Sequence, residues 1–164
     1  MVPLVLFDLD NTLIDRARGF HEWAVWFSAE KGLGGGAPEW LVQHDRDGKT
    51  SRENFFAEFR RRFGVATSVT GLVDAYEREY VARFLPDAEV LGALRRDGWR
   101  IGVVTNGGAT QRAKIARAGL SDVIDACTVS RELGVAKPGP EIFHETARRC
   151  GAPLAGWMVG DHPV

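Results

Sequence analysis

The chain opens on a short, continuous apolar segment that ends in two carboxylates. Residues 3–7 read Pro-Leu-Val-Leu-Phe, and Asp8 and Asp10 follow, one residue apart. An uninterrupted apolar run of this length predicts a strand that is buried on both faces, as in parallel sheets. Ligands of such sheets bind beyond the carboxyl ends of the strands. The two carboxylates therefore belong either to an active site or to an ordinary Asp-Asn turn.

The hydrophobic spacing changes to a helical period between residues 16 and 85. Four segments there place apolar residues three or four positions apart, which predicts one buried face per helix. The third begins at a Thr50–Glu53 capping box and ends at Gly64. These apolar positions predict the core of a small helical bundle; they include Phe20, Trp23, Phe27, Trp40, Leu41, Phe55, Phe59, Leu72, Tyr76 and Tyr80.

From Pro86 onward, the pattern alternates between helix and strand. The spacing predicts helices at 88–97, 110–118 and 140–150, and strands at 100–105, within 123–129 and at 157–160. Such alternation favours right-handed crossovers and a parallel sheet. We therefore expect a three-layer, Rossmann-like α/β core built from residues 1–15 and 86–164. Residues 16–85 would form a helical domain inserted between them.

Polar residues follow each of the predicted strands of this core. Besides the two carboxylates, they are Thr105-Asn106-Gly107, the loop lysine Lys137 and Asp161 after Gly160. In a parallel sheet, these strand ends share one edge. Carboxylates suit a hard divalent cation, while lysine, hydroxyl and backbone N–H groups suit phosphate oxygens. Each residue alone also fits an ordinary loop or turn, but together they favour a phosphate site.

With these residues in place, the chain resembles the haloacid dehalogenase superfamily of phosphohydrolases. Four motifs match in order, namely Asp8-Leu9-Asp10-Asn11-Thr12, Thr105-Asn106, Lys137-Pro138 and Gly160-Asp161. The resemblance spans nearly the whole chain. An acidic residue at position 10 makes the chain similar to the phosphatases of the superfamily rather than to its dehalogenases.

The resemblance implies a role for each motif residue. Asp8 would attack phosphorus, and Asp10 would protonate the leaving oxygen and then activate water. Thr105 and the backbone amides near Asn106 and Gly107 would hold the phosphoryl group.

The resemblance also implies a cation-rich site. Lys137 would bridge Asp8 and phosphate, since an anionic carboxylate must approach an anionic phosphate. Asp8, the backbone carbonyl of Asp10 and Asp161 would bind Mg²⁺. The helical insert corresponds to a cap that closes over the site, and Arg52 is a candidate substrate contact; the alternative for Arg52 is a solvated side chain at a helix start.

The chain departs from the family pattern at its end, three residues after Asp161. The resemblance implies a further acidic residue, helix and strand, so we expect the C-terminal edge of the core to be missing. The last strand would then be an exposed apolar edge, which favours a homodimer. Weaker metal binding, lower activity and lower stability would follow.

Composition narrows the function classes. The 164 residues are 45% hydrophobic and 26% charged, with a net charge of -1, which gives no reason to expect nucleic acid or a membrane as a partner. Cys127 and Cys150 are expected to be free thiols in a cytoplasmic protein. The predicted function is Mg²⁺-dependent hydrolysis of a small phosphorylated metabolite. The alternatives are phosphoryl transfer of the β-phosphomutase type and a catalytically weak, phosphate-binding regulatory fragment.

Overall fold

The computed structural model describes residues 2–81 and 89–162. The chain divides into two compact units, one formed by Met1–Asp15 with Phe84–Val164 and the other by Arg16–Arg83. The expected boundary between residues 85 and 86 lies outside the described residues, as does the expected start of the helix at residue 88. No helix in the described ranges has the length and apolar content needed to cross a membrane.

The described residues form four strands and eight α-helices. The strands are β1 (Leu4–Phe7), β2 (Arg100–Thr105), β3 (Ala126–Val129) and β4 (Gly156–Val159). The helices are α1 (Arg16–Glu30), α2 (Ala37–Asp45), α3 (Arg52–Phe63), α4 (Val69–Val81), α5 (Glu89–Arg96), α6 (Ala109–Arg117), α7 (Ser130–Leu133) and α8 (Pro140–Arg149). Short 3₁₀ turns lie at Arg46–Gly48 and Leu120–Asp122.

The first unit contains a parallel sheet with the strand order β3-β2-β1-β4. All four residues of β1 are buried, as the continuous apolar run predicts. The predicted parallel, Rossmann-like α/β core is confirmed. The bounds of β2 agree with the sequence-based prediction, and those of α6 and α8 differ by one residue. The four-residue helix α7 was not predicted, since it is too short for a helical period to show.

Helix α8 packs on one face of this sheet. Ile142 and Ala147 from the helix join Leu4, Leu6 and Val104 from the strands in one buried cluster. The approach is close, because a Cβ added at Gly102 would lie only 2.6 Å from Leu6 Cδ2 and 2.8 Å from Thr146 Cγ2. This packing fixes the loop that precedes α8 against the carboxyl ends of the strands.

Strand β4 pairs only with β1 among the described strands and forms an edge of the sheet. Its outer surface is apolar, with Trp157 70% exposed and Val159 41% exposed. Among the described strands, none lies on the outer side of this edge, which carries large apolar side chains.

The second unit has an aromatic core made by α1 to α4. The apolar faces predicted from the sequence meet there. Trp23, for example, stacks on Phe27 with ring centroids 4.8 Å apart and meets Tyr76 edge-on at 4.9 Å. Phe55 and Phe56 on α3 are fully buried in the same core. Edge-to-face and offset contacts of this kind stabilise aromatic clusters beyond the area that they bury.

A buried ion-pair cluster lies beside these rings. Asp45 is only 2% exposed, and its carboxylate accepts hydrogen bonds from Arg16, from Arg52 Nη2 at 2.6 Å and from the Gly48 backbone N–H at 2.9 Å. The Arg52 guanidinium also lies 4.6 Å from the Tyr76 ring centroid. Since Arg16 is buried as well, the cluster is stable only while its charges balance.

Replacing Asp45 by Asn should therefore lower the free energy of unfolding by about 3 kcal/mol, because Arg16 would be left buried without its counter-charge. Asp47→Asn is the matched control. Asp47 is 68% exposed and its carboxylate lies 3.7 Å from Arg16 Nη1, so its removal should cost less than about 1 kcal/mol. Denaturant unfolding of the two variants measures both effects, and equal losses would contradict the buried pairing.

The two cysteines give a pH-dependent prediction. Cys127 and Cys150 are free and buried, and burial raises the pKa of each thiol to about 11. Both thiols should stay protonated in the folded protein at pH 8, because the reactive thiolate appears only as the pH approaches the raised pKa. We expect slow reaction with a disulfide reagent at pH 8 and rapid reaction of both thiols in denaturant. Rapid labelling of the folded protein at that pH would show that the thiols are accessible and normally acidic.

Candidate active site

The two carboxylates after β1 share one side of the chain. The backbone N–H of Asp8 donates to the Val159 carbonyl at 2.8 Å, which continues the pairing of β1 with β4. Leu9 is fully buried, while the Asp8 and Asp10 side chains are 20% and 24% exposed. Both carboxylates are thus partly exposed, whereas the residue between them is buried at a bend that follows β1. The Asp–x–Asp spacing thus brings both carboxylates to the carboxyl edge of the sheet.

A tight turn ends this segment. The backbone N–H groups of Leu13 and Ile14 donate to the Leu9 carbonyl, and Asn11 has a φ of 58°. Asparagine tolerates this left-handed conformation better than most residues. The Asp-Asn turn considered from the sequence is therefore present, and it coexists with a cluster of charged residues.

Asp8 forms an ion pair with Lys137. The Lys137 Nζ lies 2.7 Å from Asp8 Oδ1, and the backbone N–H of Leu9 donates to the same oxygen at 2.6 Å. Both side chains of the pair are partly exposed, at 20% for Asp8 and 14% for Lys137. The lysine offsets the carboxylate charge and is still reachable from solvent.

Asn106 holds the lysine loop in place. Its side-chain oxygen accepts the Lys137 N–H at 2.8 Å, and its amide nitrogen donates to the Lys137 carbonyl at 3.1 Å. The Lys137–Pro138 peptide bond is cis. The Asn106 side chain is thus used to position Lys137, whereas the resemblance pointed to the neighbouring backbone amides as phosphate donors.

Asp10 forms an ion pair with a second lysine, Lys114. Lys114 Nζ from α6 lies 2.7 Å from Asp10 Oδ1 and 3.0 Å from Oδ2. Gln111 Nε2, one turn earlier on the same helix, donates to Asp10 Oδ2 at 2.9 Å and to Thr105 Oγ1 at 2.6 Å. Thr105, at the end of β2, is therefore linked to Asp10 through a single amide group.

The loop after β2 is tied to the end of β3. The Gly107 N–H donates to Ser130 Oγ at 3.0 Å, and the Arg131 N–H donates to the Gly107 carbonyl at 3.1 Å. Gly107 has a φ of 150°, where side chains are rarely accommodated. The predicted phosphate-binding loop is thus held between the ends of β2 and β3.

Asp161 follows β4 at the same edge. The preceding Gly160 lies beside Asp8, since a Cβ added there would be 3.5 Å from Asp8 Cβ. The Asp161 carboxylate is 3.8 Å from His162 Nε2 and its side chain is 25% exposed. The sheet therefore brings the strand end that carries Asp161 next to the nucleophile predicted from the sequence.

The oxygen donors at this edge fit Mg²⁺. Asp8 and Asp161 offer carboxylates and Asp10 offers a backbone carbonyl, and all three are hard ligands. No cluster of three or more His, Cys, Asp or Glu side chains suited to a metal occurs within residues 2–81 and 89–162. A set of one or two carboxylates suits Mg²⁺, which usually completes its octahedron with water and substrate phosphate.

Arg52, the predicted substrate contact, lies in the helical unit. It begins α3, and its Nη2 is bonded to Asp45 within that unit. Its side chain is 19% exposed, so it is not the freely solvated arginine of the alternative interpretation. Its role toward substrate stays a prediction.

Gln111, Lys114 and Ser130 contribute to the site but were not found from the sequence. Gln111 and Lys114 lie on the buried face of α6 with Ile115. Two polar residues at positions that the helical period assigns to the core were the available signal. Ser130 gave no such signal, because its contact depends on how two loops meet.

Comparison with known proteins points to one family. The family profile for the haloacid dehalogenase-like hydrolases matches residues 2–164. A glyceraldehyde 3-phosphate phosphatase of Methanopyrus kandleri is 30% identical over 177 residues, covering 98% of this chain and 76% of that protein. The pyrimidine 5′-nucleotidase YjjG of Escherichia coli is 31% identical, covering 96% of this chain and 76% of that protein.

A solved structure shows the same fold. The HAD-hydrolase YfnB from Bacillus subtilis, determined with bound magnesium, superposes with a TM-score of 0.70 over 98% of this chain and 80% of its own. At 20% sequence identity, this similarity supports the fold alone. The family profile and the relatives lead to one conclusion: the chain belongs to the haloacid dehalogenase-like hydrolases.

Proposed function

We propose that this protein is a Mg²⁺-dependent phosphatase that hydrolyses a small phosphate monoester through a phosphorylated Asp8. The observation that carries the proposal is the pair of carboxylates at the end of β1, each with a lysine Nζ 2.7 Å away. Two carboxylates this close in sequence repel each other, and the lysines allow both to stay at one site. Their different surroundings suit two different tasks.

Asp8 is the nucleophile in this proposal. One of its carboxylate oxygens attacks phosphorus and forms an acyl-phosphate bond, while the bond from phosphorus to the ester oxygen breaks. The leaving oxygen takes its proton from Asp10, which acts as the general acid. Lys137 would neutralise part of the phosphate charge, and its partial exposure beside Asp8 supports this role.

Hydrolysis of the intermediate reverses the role of Asp10. The deprotonated Asp10 accepts a proton from water as the water oxygen attacks phosphorus. The bond between phosphorus and Asp8 breaks, which releases inorganic phosphate, regenerates the Asp8 carboxylate and leaves Asp10 protonated for the next turnover. Thr105 Oγ1, which accepts a hydrogen bond from Gln111, and the backbone N–H of Asn106 would bind phosphate oxygens. The Gly107 N–H, which donates to Ser130 Oγ, would have to exchange that partner to do the same.

Asp8, Asp161 and the carbonyl of Asp10 would hold the Mg²⁺ ion. The ion, when bound, supplies positive charge that stabilises the phosphoryl oxygens in the transition state. The chain's own residues supply the nucleophile, the proton donor and the phosphate contacts.

The similar proteins support phosphate esters as the substrate class. The Methanopyrus relative is a glyceraldehyde 3-phosphate phosphatase and the Escherichia relative is a pyrimidine 5′-nucleotidase. The acidic residue at position 10 also favours a phosphatase, because cleavage of an ester requires a proton for the departing oxygen. A screen of phosphorylated metabolites would identify the substrate within this class.

Asp8→Asn should abolish turnover. The amide is a poor nucleophile, so phosphate release from an aryl phosphate in the presence of Mg²⁺ should fall by at least roughly a thousandfold. Chelation of the metal should also abolish wild-type activity, and added Mg²⁺ should restore it. Asp122→Asn, an exposed carboxylate in the same unit, is the matched control and should keep full activity.

Two outcomes would contradict this function. Full activity after chelation would show that the reaction does not need the metal. Substantial activity in Asp8→Asn would show that Asp8 does not form a covalent intermediate. A product assay on sugar phosphates completes the test, because an isomeric sugar phosphate in place of inorganic phosphate would indicate phosphoryl transfer within the substrate.

A further inference from the structure

The inward face of α6 carries an unusual pair of residues for a buried surface. Gln111 and Lys114 are each only 4% exposed, next to the apolar Ile115. Burying an ammonium group is unfavourable unless an opposite charge and hydrogen bonds compensate for its lost hydration. The presence of a lysine at this position therefore calls for a specific partner.

Asp10 is such a partner for both side chains. Lys114 Nζ contacts both carboxylate oxygens, at 2.7 and 3.0 Å, and Gln111 Nε2 donates to Oδ2 at 2.9 Å. The sequence separations are 104 and 101 residues, so the contacts exist only in the folded unit. Three hydrogen bonds from two buried donors restrict Asp10 to a narrow range of orientations.

Gln111 also ties Asp10 to the phosphate side of the site. Its amide nitrogen donates to Thr105 Oγ1 at 2.6 Å as well as to Asp10. A carboxylate only accepts hydrogen bonds, so the nitrogen of the amide must face it. The two hydrogens of one amide group thus set the relative positions of a carboxylate and a hydroxyl from different strands.

The loop after β2 leaves room for this arrangement. A Cβ added at Gly107 would lie 2.8 Å from Gln111 Cγ and 3.1 Å from its Cδ. Any larger residue at position 107 would push the Gln111 side chain away from its two partners. Glycine is therefore required here by the position of Gln111 as well as by its own backbone angle.

We propose that Gln111 and Lys114 form a buried clamp that positions Asp10 for proton transfer to the leaving oxygen. The proton is carried on Oδ1, which accepts one of the three hydrogen bonds, whereas Oδ2 accepts two. This proposal rests on the phosphatase function above. The Lys114 side chain is 5% exposed, so it is a positioning residue that acts through Asp10, unlike the more open Lys137. Proton transfer requires Asp10 to face the leaving oxygen, and misplacement by about 1 Å can cost a hundredfold in rate.

The leaving group provides a test that a purely structural role would not pass. The alcohol of an alkyl phosphate leaves only if Asp10 protonates its oxygen, whereas the p-nitrophenolate of p-nitrophenyl phosphate leaves readily as an anion. Lys114→Met should lower kcat/KM for the alkyl ester roughly ten- to hundredfold and for the aryl ester less than about threefold. Arg112→Met is the matched control on α6. Arg112 pairs with Glu132 at the surface, and its loss should leave both values unchanged.

A double-mutant cycle identifies the residue through which Lys114 acts. In an Asp10→Asn background, Lys114→Met should reduce kcat/KM for the alkyl ester no further, because the proton donor is already absent. If Lys114→Met does not fold, Gln111→Leu carries the same test. Lys114→Arg, which keeps the charge, should recover part of the loss.

The results separate failure of the clamp from failure of the proposed function. Equal losses on both esters, unchanged activity, or independent losses in the cycle would overturn the clamp while wild type and Asp8→Asn still behave as a phosphatase and its inactive variant. If the wild type releases no phosphate from either ester, the proposed function itself fails, and the clamp fails with it.

Discussion

The need for a counter-charge on each of two carboxylates at the end of one buried strand is the constraint on which this site depends. Asp8 and Asp10 are both partly exposed at that strand end, while Leu9 between them is fully buried. Two lysines from different parts of the chain supply these counter-charges: Lys137 pairs with Asp8 and Lys114 pairs with Asp10. Lys137 is partly exposed whereas Lys114 is buried, so each carboxylate has a counter-charge but the two have different surroundings.

The fold supplies these counter-charges through its parallel connections. Helix α6 follows β2 and presents Lys114 to the end of β1, while the loop before α8 presents Lys137 to the same strand end. Close packing at Gly102 fixes α8 on the sheet, and Asn106 fixes the loop. The site is therefore assembled from rigid elements, which is what electrostatic stabilisation of a transition state requires.

Sequence reasoning located the strand ends and the residues they carry. The continuous apolar run predicted β1, and helix–strand alternation predicted the parallel order that brings Thr105, Lys137 and Asp161 to the edge where Asp8 lies. It did not find Gln111 or Lys114, because a helical period indicates which face is buried but not which carboxylate 100 residues away lies opposite. The pairing of Arg52 with Asp45 was missed for a related reason, since an arginine at a helix start is as often solvated as paired.

The central claim is that Asp8 itself becomes phosphorylated, and chemical trapping tests it most directly. The enzyme would be mixed with an aryl phosphate and Mg²⁺, quenched within the turnover time and treated with borohydride, which reduces an aspartyl phosphate to homoserine. Mass spectrometry of the N-terminal peptide then locates the change. The account predicts homoserine at position 8 only when substrate is present. Homoserine at position 10, or none at either position during active turnover, would contradict it.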